Sequence, residues 1–159
     1  MAIPMEVAVS SSERPKAYRA ILWAGLIAGT LDITAASVNG VLRGGNPMRV
    51  LQSVASGLLG ADSFEGGPAA AALGLVLHFL IAFGAATVYF AASRKMRFLV
   101  DHAVVCGLLY GIAVYAFMNS IVVPLSAAPF DIPYRPVGLI IHLFCVGLPI
   151  ALVIRRFSR

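Results

Sequence analysis

Four long apolar stretches alternate with shorter polar ones along the chain: residues 20–41, 68–92, 102–123 and 136–154. None contains Lys or Arg, and only the first carries an acidic residue, Asp32. A helix that crosses a bilayer needs about 20 mostly apolar residues, so each stretch predicts a transmembrane helix. Pro68 and Pro136 open the second and fourth stretches, where a missing N–H costs nothing in the first helical turn. Pro124 is expected to stop the third, and Arg155 and Arg156 close the fourth. Pro149 cannot donate to the carbonyl of Cys145, one turn earlier, so a kink is expected there.

The longest connection, residues 42–67, has its own pattern. Val50 or Leu51, Val54 and Leu58 recur at helical spacing, with Arg49, Gln52, Ser53 and Ser56 elsewhere around the wheel. Residues 47–60 are too few to span and predict a short amphipathic helix, lying in the interface or capping the bundle. Gly44-Gly45 and Gly66-Gly67 read as turns. The predicted fold is an all-α membrane protein of four transmembrane helices, residues 20–159, preceded by a mobile cytoplasmic tail, residues 1–19.

Composition agrees with this pattern. Of 159 residues, 60% are hydrophobic and 12% charged, with a mean hydropathy of +0.90; soluble domains carry about a quarter charged residues. So small a globule cannot bury that apolar excess, and the lipid bilayer is the expected partner. The formal charge of +5 then reflects cytoplasmic loops, and with no long basic run nucleic acid is not an expected partner. Cys106 and Cys145 fall at depths about 10 Å apart, too far for a disulfide, whose Cα atoms lie within about 7 Å.

Charge also orients the chain. Arg14, Lys16, Arg19, Arg94, Lys95, Arg97, Arg155, Arg156 and Arg159 fall on one side, against Arg43, Arg49 and Arg135 on the other. The richer side is expected to be cytoplasmic, with both ends of the chain there. Tyr18, Trp23 and Tyr134 suit an interfacial aromatic belt, and His102 an interfacial position. The first apolar run is too long for a cleavable signal core of about 7–15 residues and reads as a signal anchor.

The two halves look related. Gly25-Leu26-Ile27-Ala28-Gly29 corresponds to Gly107-Leu108-Leu109-Tyr110-Gly111, and Gly74-Leu75-Val76-Leu77-His78 to Gly138-Leu139-Ile140-Ile141-His142. Gly and Leu are common in such segments, so the shared histidine is the more specific match. Two hairpins so related form a parallel repeat about an axis along the membrane normal.

Helices in lipid associate at small residues. Gly25, Gly29, Asp32, Ala36 and Asn39 form one such face; Ala71, Gly74, His78, Ala82 and Ala85 the next; then Gly107, Gly111, Tyr115 and Asn119; then Gly138, His142, Cys145 and Pro149. Gly25, Gly29, Gly74, Gly107, Gly111 and Gly138 are therefore the expected packing positions. Asp32, His78, Asn119 and His142 lie on these faces at one depth, within a slab of about 8 Å. An Asp there costs about 2.5–3.5 kcal/mol to insert, so it should face the interior and be paired or protonated. The four residues are the candidate intramembrane polar cluster, read either as interhelical hydrogen bonds that fix packing or as a functional site.

Three functional readings follow. One is a non-enzymatic scaffold or accessory subunit of a larger membrane complex. The second is an oligomeric transporter of protons or a small solute through Asp32, His78 and His142. The third is a b-type haem protein with His78 and His142 as axial ligands. The leading reading needs no cofactor and no metal. The sequence holds no H-E-x-x-H, G-x-S-x-G or phosphate loop, so no catalytic residues are assigned.

The Gly25–Gly29 segment, His78 followed by its Phe-containing run, and His142-Leu143 followed by Ile154-Arg155-Arg156 resemble the YagU-like bacterial inner-membrane proteins. That resemblance implies a small polytopic inner-membrane protein of undefined activity with a suggested link to acid tolerance, and gives no catalytic residues to transfer.

Overall fold

The computed structural model describes residues 13–129 and 135–158. The expected belt residue Tyr134 and the first 12 residues of the expected tail lie outside them. Among the described residues there is no strand. The helices are α1 (Glu13–Leu42), α2 (Pro47–Leu59), α3 (Gly67–Lys95), α4 (Phe98–Asp101), α5 (Ala103–Phe117), α6 (Val123–Leu125), α7 (Pro136–Ile141) and α8 (Leu148–Ser158). A π turn, Met118–Val122, joins α5 to α6, and another, His142–Gly147, joins α7 to α8. Four helices are long and apolar enough to cross a membrane: Ala17–Leu42, Gly67–Lys95, Ala103–Leu125 and Pro136–Ser158. The first begins earlier than the pattern of apolar residues implies, and residues 13–19, assigned above to the tail, form the opening turns of α1. Pro15 sits in the first of these turns, where its missing N–H breaks no helical bond.

Pro124 does not stop the third span, contrary to expectation. The helix runs through it to Leu125 and ends where Ser126 turns extended. In each of the last two spans a π turn directly precedes the proline. Val123 N donates to Met118 O, and Leu148 N to Leu143 O, both five residues back. A proline ring crowds the preceding turn and supplies no donor to it, and the wider turn absorbs that disturbance within a continuous helix.

α1 and the fourth span form the centre of the bundle. α1 packs against α3 on one side and against the fourth span on the other, which in turn packs against α5. The closest approaches are at glycines. Phe83 and Phe79 of α3 lie over Gly25 and Gly29, while Gly147 meets the backbone of Gly107 and Gly111. Towards the end of the bundle that holds Ala24, Ala103 and Ile154, small and branched side chains fill the interior, with Ala28, Ala86, Ile150 and Ala151 among them. Two tyrosines join that layer. The Tyr89 hydroxyl donates to Leu99 O at 3.0 Å and the Tyr110 hydroxyl to Ala85 O at 2.7 Å, with ring centroids 5.0 Å apart. Val76, Leu80 and Val88 point outward, as side chains facing lipid should.

α2 starts as its sequence dictates: the Asn46 side chain accepts from Arg49 N at 2.8 Å, and Pro47 follows at the first helical position. Its polar and small side, Gln52, Ala55 and Ser56, is buried, while Leu58 and Leu59 are exposed. Gly74 of α3 meets the backbone of Leu51 and Ala55, so this glycine, expected on a face between spans, seats α2 instead. The Gln52 amide donates to Gly67 O at 3.2 Å, and Gly57 O accepts from Ala127 N at 2.9 Å. The helix is thus tied both to α3 and to the chain leaving the third span.

Candidate functional site

Above the tyrosine layer the bundle is not filled. A cavity of about 550 Å³ lies between the four spans and α2, and all four residues of the polar cluster line it: Asp32, His78, Asn119 and His142. Asp32 comes from α1, one turn beyond Gly29; His78 from α3; Asn119 and His142 from the two π turns. The rest of the lining is largely apolar, including Val54, Ile81, Val114, Met118 and Val146.

The Asp32 carboxylate sits between the two imidazoles. Its Oδ2 is 4.0 Å from His78 Nδ1, and its Oδ1 is 3.9 Å from His142 Nδ1. Both separations exceed hydrogen-bond length, and Oδ1, although buried, has no hydrogen-bond partner among the described residues. Asn119 is similar: its Nδ2 donates to Tyr115 O at 2.8 Å, one turn back in its own helix, and its Oδ1 is buried without a partner among the described residues.

The histidines are held by backbone carbonyls. His78 Nε2 lies 2.8 Å from Gly29 O, the one bond in this group that joins two spans, and His142 Nδ1 lies 2.9 Å from Gly138 O in its own helix. A carbonyl only accepts, so each of these nitrogens carries the proton. The close passage of α3 over Gly29 is what lets His78 reach that carbonyl. On the other side, Tyr115 packs edge-on to His142, with centroids 5.2 Å apart. Its hydroxyl accepts from Arg135 N at 2.7 Å and donates to Arg135 O at 3.1 Å, which fixes the start of the fourth span.

Interhelical bonding alone does not account for this arrangement. Side chains whose role is to fix packing satisfy one another; among the described residues only His78 of this cluster hydrogen-bonds across spans, and a buried oxygen of Asp32 and one of Asn119 are left without hydrogen-bond partners. The haem reading meets a geometric obstacle. His142 directs Nδ1–H to a carbonyl and leaves Nε2 free, the usual pattern for a metal-bound imidazole. His78 has the reverse pattern, and its Nδ1 faces Asp32, so the pair does not fit axial ligation. Among the described residues, no group of three or more His, Cys, Asp or Glu is placed to hold a metal ion.

The sequence did not point to Arg43 and Arg135, which also line the cavity, nor to Gly147; Asn39, on the same face of the first span as Asp32, lines it too. Arg43 and Arg135 are exposed, at the end of α1 and just before α7; their position beside two span termini was the available signal. Gly147 lies about 140° from His142 on an α-helix, off the fourth span's small-residue face. The π turn bonds residues five apart and brings the two towards one side.

Compared with known proteins, the chain matches no family model, no curated protein and no solved structure.

Proposed function

We propose that the protein is a non-enzymatic, multi-pass protein of a bacterial inner membrane that handles protons or a small solute through its central cavity. Asp32 is the group on which proton or solute rests. One observation carries this reading. Asp32, set between two imidazoles, and Asn119 line a shared cavity of about 550 Å³, and one buried oxygen of each has no hydrogen-bond partner among the described residues, whereas a bundle built only as a scaffold gains nothing from such groups. Ionisable residues within spans commonly mark proton or solute paths.

In this reading both ends of the chain face the cytoplasm, as the bias of Lys and Arg supports. The layer of Tyr89, Tyr110 and Ile150 then closes the cytoplasmic half, and the cavity belongs to the outer half. Passage requires that layer to part. The two halves are taken as parallel repeats: Gly29 lies beside His78 in the first hairpin and Gly111 beside His142 in the second, the first contact through the His78 ring and the second through the His142 backbone, and this shared pairing of positions supports the reading. The resemblance to YagU-like proteins supports a proton-related role.

The test is proton flux. Purified protein is reconstituted in liposomes with a trapped pH-sensitive dye, and a potassium diffusion potential drives proton entry. Flux is expected to exceed that of protein-free liposomes and to fall to that level in Asp32→Asn. Flux indistinguishable from empty liposomes would return the chain to the scaffold reading.

A further inference from the structure

Three sides of the bundle are close-packed: α1 against α3, α1 against the fourth span, and the fourth span against α5. The remaining side is different. The backbones of α3 and α5 scarcely approach one another, and two tyrosine rings occupy the space between them. Tyr110 reaches across from α5 and donates its hydroxyl to Ala85 O at 2.7 Å, and Ala85 itself lines the cavity. Tyr89 lies edge-on to it, with centroids 5.0 Å apart, and donates at 3.0 Å to Leu99 O in α4. The two rings therefore stand in series between the cavity and the connection from α3 to α5. Ile150 is fully buried and Tyr89 only 2% exposed, whereas Tyr110 is half-buried. Of the three, Tyr110 is the one with an open side to turn into.

We propose that Tyr110 is the gate of the cavity, hinged on α5 and latched to α3 by its hydroxyl bond to Ala85 O, an inference that rests on the reading of the cavity as a path. With the latch made, the ring closes the floor of the cavity towards the side rich in Lys and Arg. With the latch broken, the ring turns out between α3 and α5, and Tyr89 alone separates the cavity from α4. Side-chain bonds between helices in a bilayer are individually weak, so releasing this one requires neither helix to unfold. A carbonyl has two lone pairs, so the helical bond of Ala85 O does not depend on the hydroxyl. Ala28 and Ala85, where the lining meets the packed core, are too short to close the gap once the ring has left.

The test uses Val114→Cys, at a half-buried lining position one turn beyond Tyr110, in the full chain with Cys106 and Cys145 replaced by alanine. A charged, membrane-impermeant thiol reagent is added to sealed membrane vesicles of each orientation. This parent is expected to react readily from the side of Arg43 and Arg135 and slowly from the side of Arg94 and Arg155. Tyr110→Phe keeps the ring and loses the latch, and should raise the slow rate about threefold, the factor that a membrane hydrogen bond of average strength contributes. Tyr110→Ala should raise it further. Tyr89→Phe, which loses only the bond to Leu99, should leave it near the parent's value. A general loosening of the fold would speed reaction from both sides, whereas loss of the gate speeds it from one. Equal rates from both sides in the parent, a slow rate unmoved by either Tyr110 variant, a rise from both sides, or a larger effect of Tyr89→Phe would each overturn the proposal. Proton flux that persists in those cases leaves the broader reading standing, whereas one-sided opening in a chain that carries no protons overturns transport and keeps the gate.

Discussion

Replacing Gly111 by Ala tests the packing on which the cavity rests. A Cβ there would lie 2.6 Å from His142 O, 2.7 Å from Leu143 Cα and 3.0 Å from His142 C. All three are backbone atoms of the fourth span, so no side chain can swing aside. Ordinary contact begins near 3.4 Å, so the two helices must separate locally by about 0.8 Å. A gap of that size forfeits about a quarter to a half of the dispersion energy of each contact it opens. Together with the distortion, overpacking of this kind costs about 1–3 kcal/mol, partly offset by up to about 1 kcal/mol of helix propensity. Gly84 is the control: a Cβ added there would have nothing within 4 Å, so Gly84→Ala should be neutral or slightly stabilising. Gly25→Ala should fall between them, since its obstacle is the Phe83 ring, which can rotate. Thermal or denaturant unfolding in one detergent gives the order. Equal stability of the Gly111 and Gly84 variants would refute the assigned contact between the third and fourth spans.

Three further predictions concern other parts of the fold. His78→Phe removes the one bond of the cluster that joins two spans and should lower stability by about 0.6 kcal/mol, the average for such bonds; His142→Phe should lower it less, and the reverse order in a melting series would contradict the geometry. Gly74→Val should lift α2 from α3, so that a cysteine at the buried Ser56 position, in a background lacking Cys106 and Cys145, becomes reactive to maleimide; continued protection would reject that seat. A reporter fused after Arg159 should report the cytoplasm and one inserted near Asp62 the outer side, and a shared compartment would exclude the proposed topology.

The four spans were legible because lipid imposes a length and a composition that hydropathy registers directly. The cluster was legible for a related reason: polar residues are so unfavourable in a bilayer that Asp32, His78, Asn119 and His142 stand out, and their common depth follows from the helical rise. What could not be read depended on departures from ideal helix. Gly147 was missed because a 3.6-residue period places it away from His142, and only the π turn brings it round. Gly74 was assigned to the wrong neighbour because a small-residue face identifies a close approach without naming the partner. For α2, apolar periodicity gave no way to tell which residues meet protein: Gln52, Ala55 and Ser56 are buried and Leu58 is exposed, while Val50 and Val54, on the same apolar period as Leu58, are half-buried against Gly40 and the cavity.

The π turn at His142–Gly147 makes the number of residues in the fourth span a functional quantity. Deleting a single residue between positions 142 and 147 would leave a stretch still long enough to cross the bilayer and almost unchanged in hydropathy. Yet converting the wide turn to a regular one swings everything before it by about 100° relative to everything after. With Gly147 still seated on Gly107 and Gly111, it is His142 that would swing, away from the Asp32 carboxylate. A homologue one residue shorter here would look identical in a hydropathy plot and have lost one of the cluster's four residues, so alignments of such chains need to respect count as well as character.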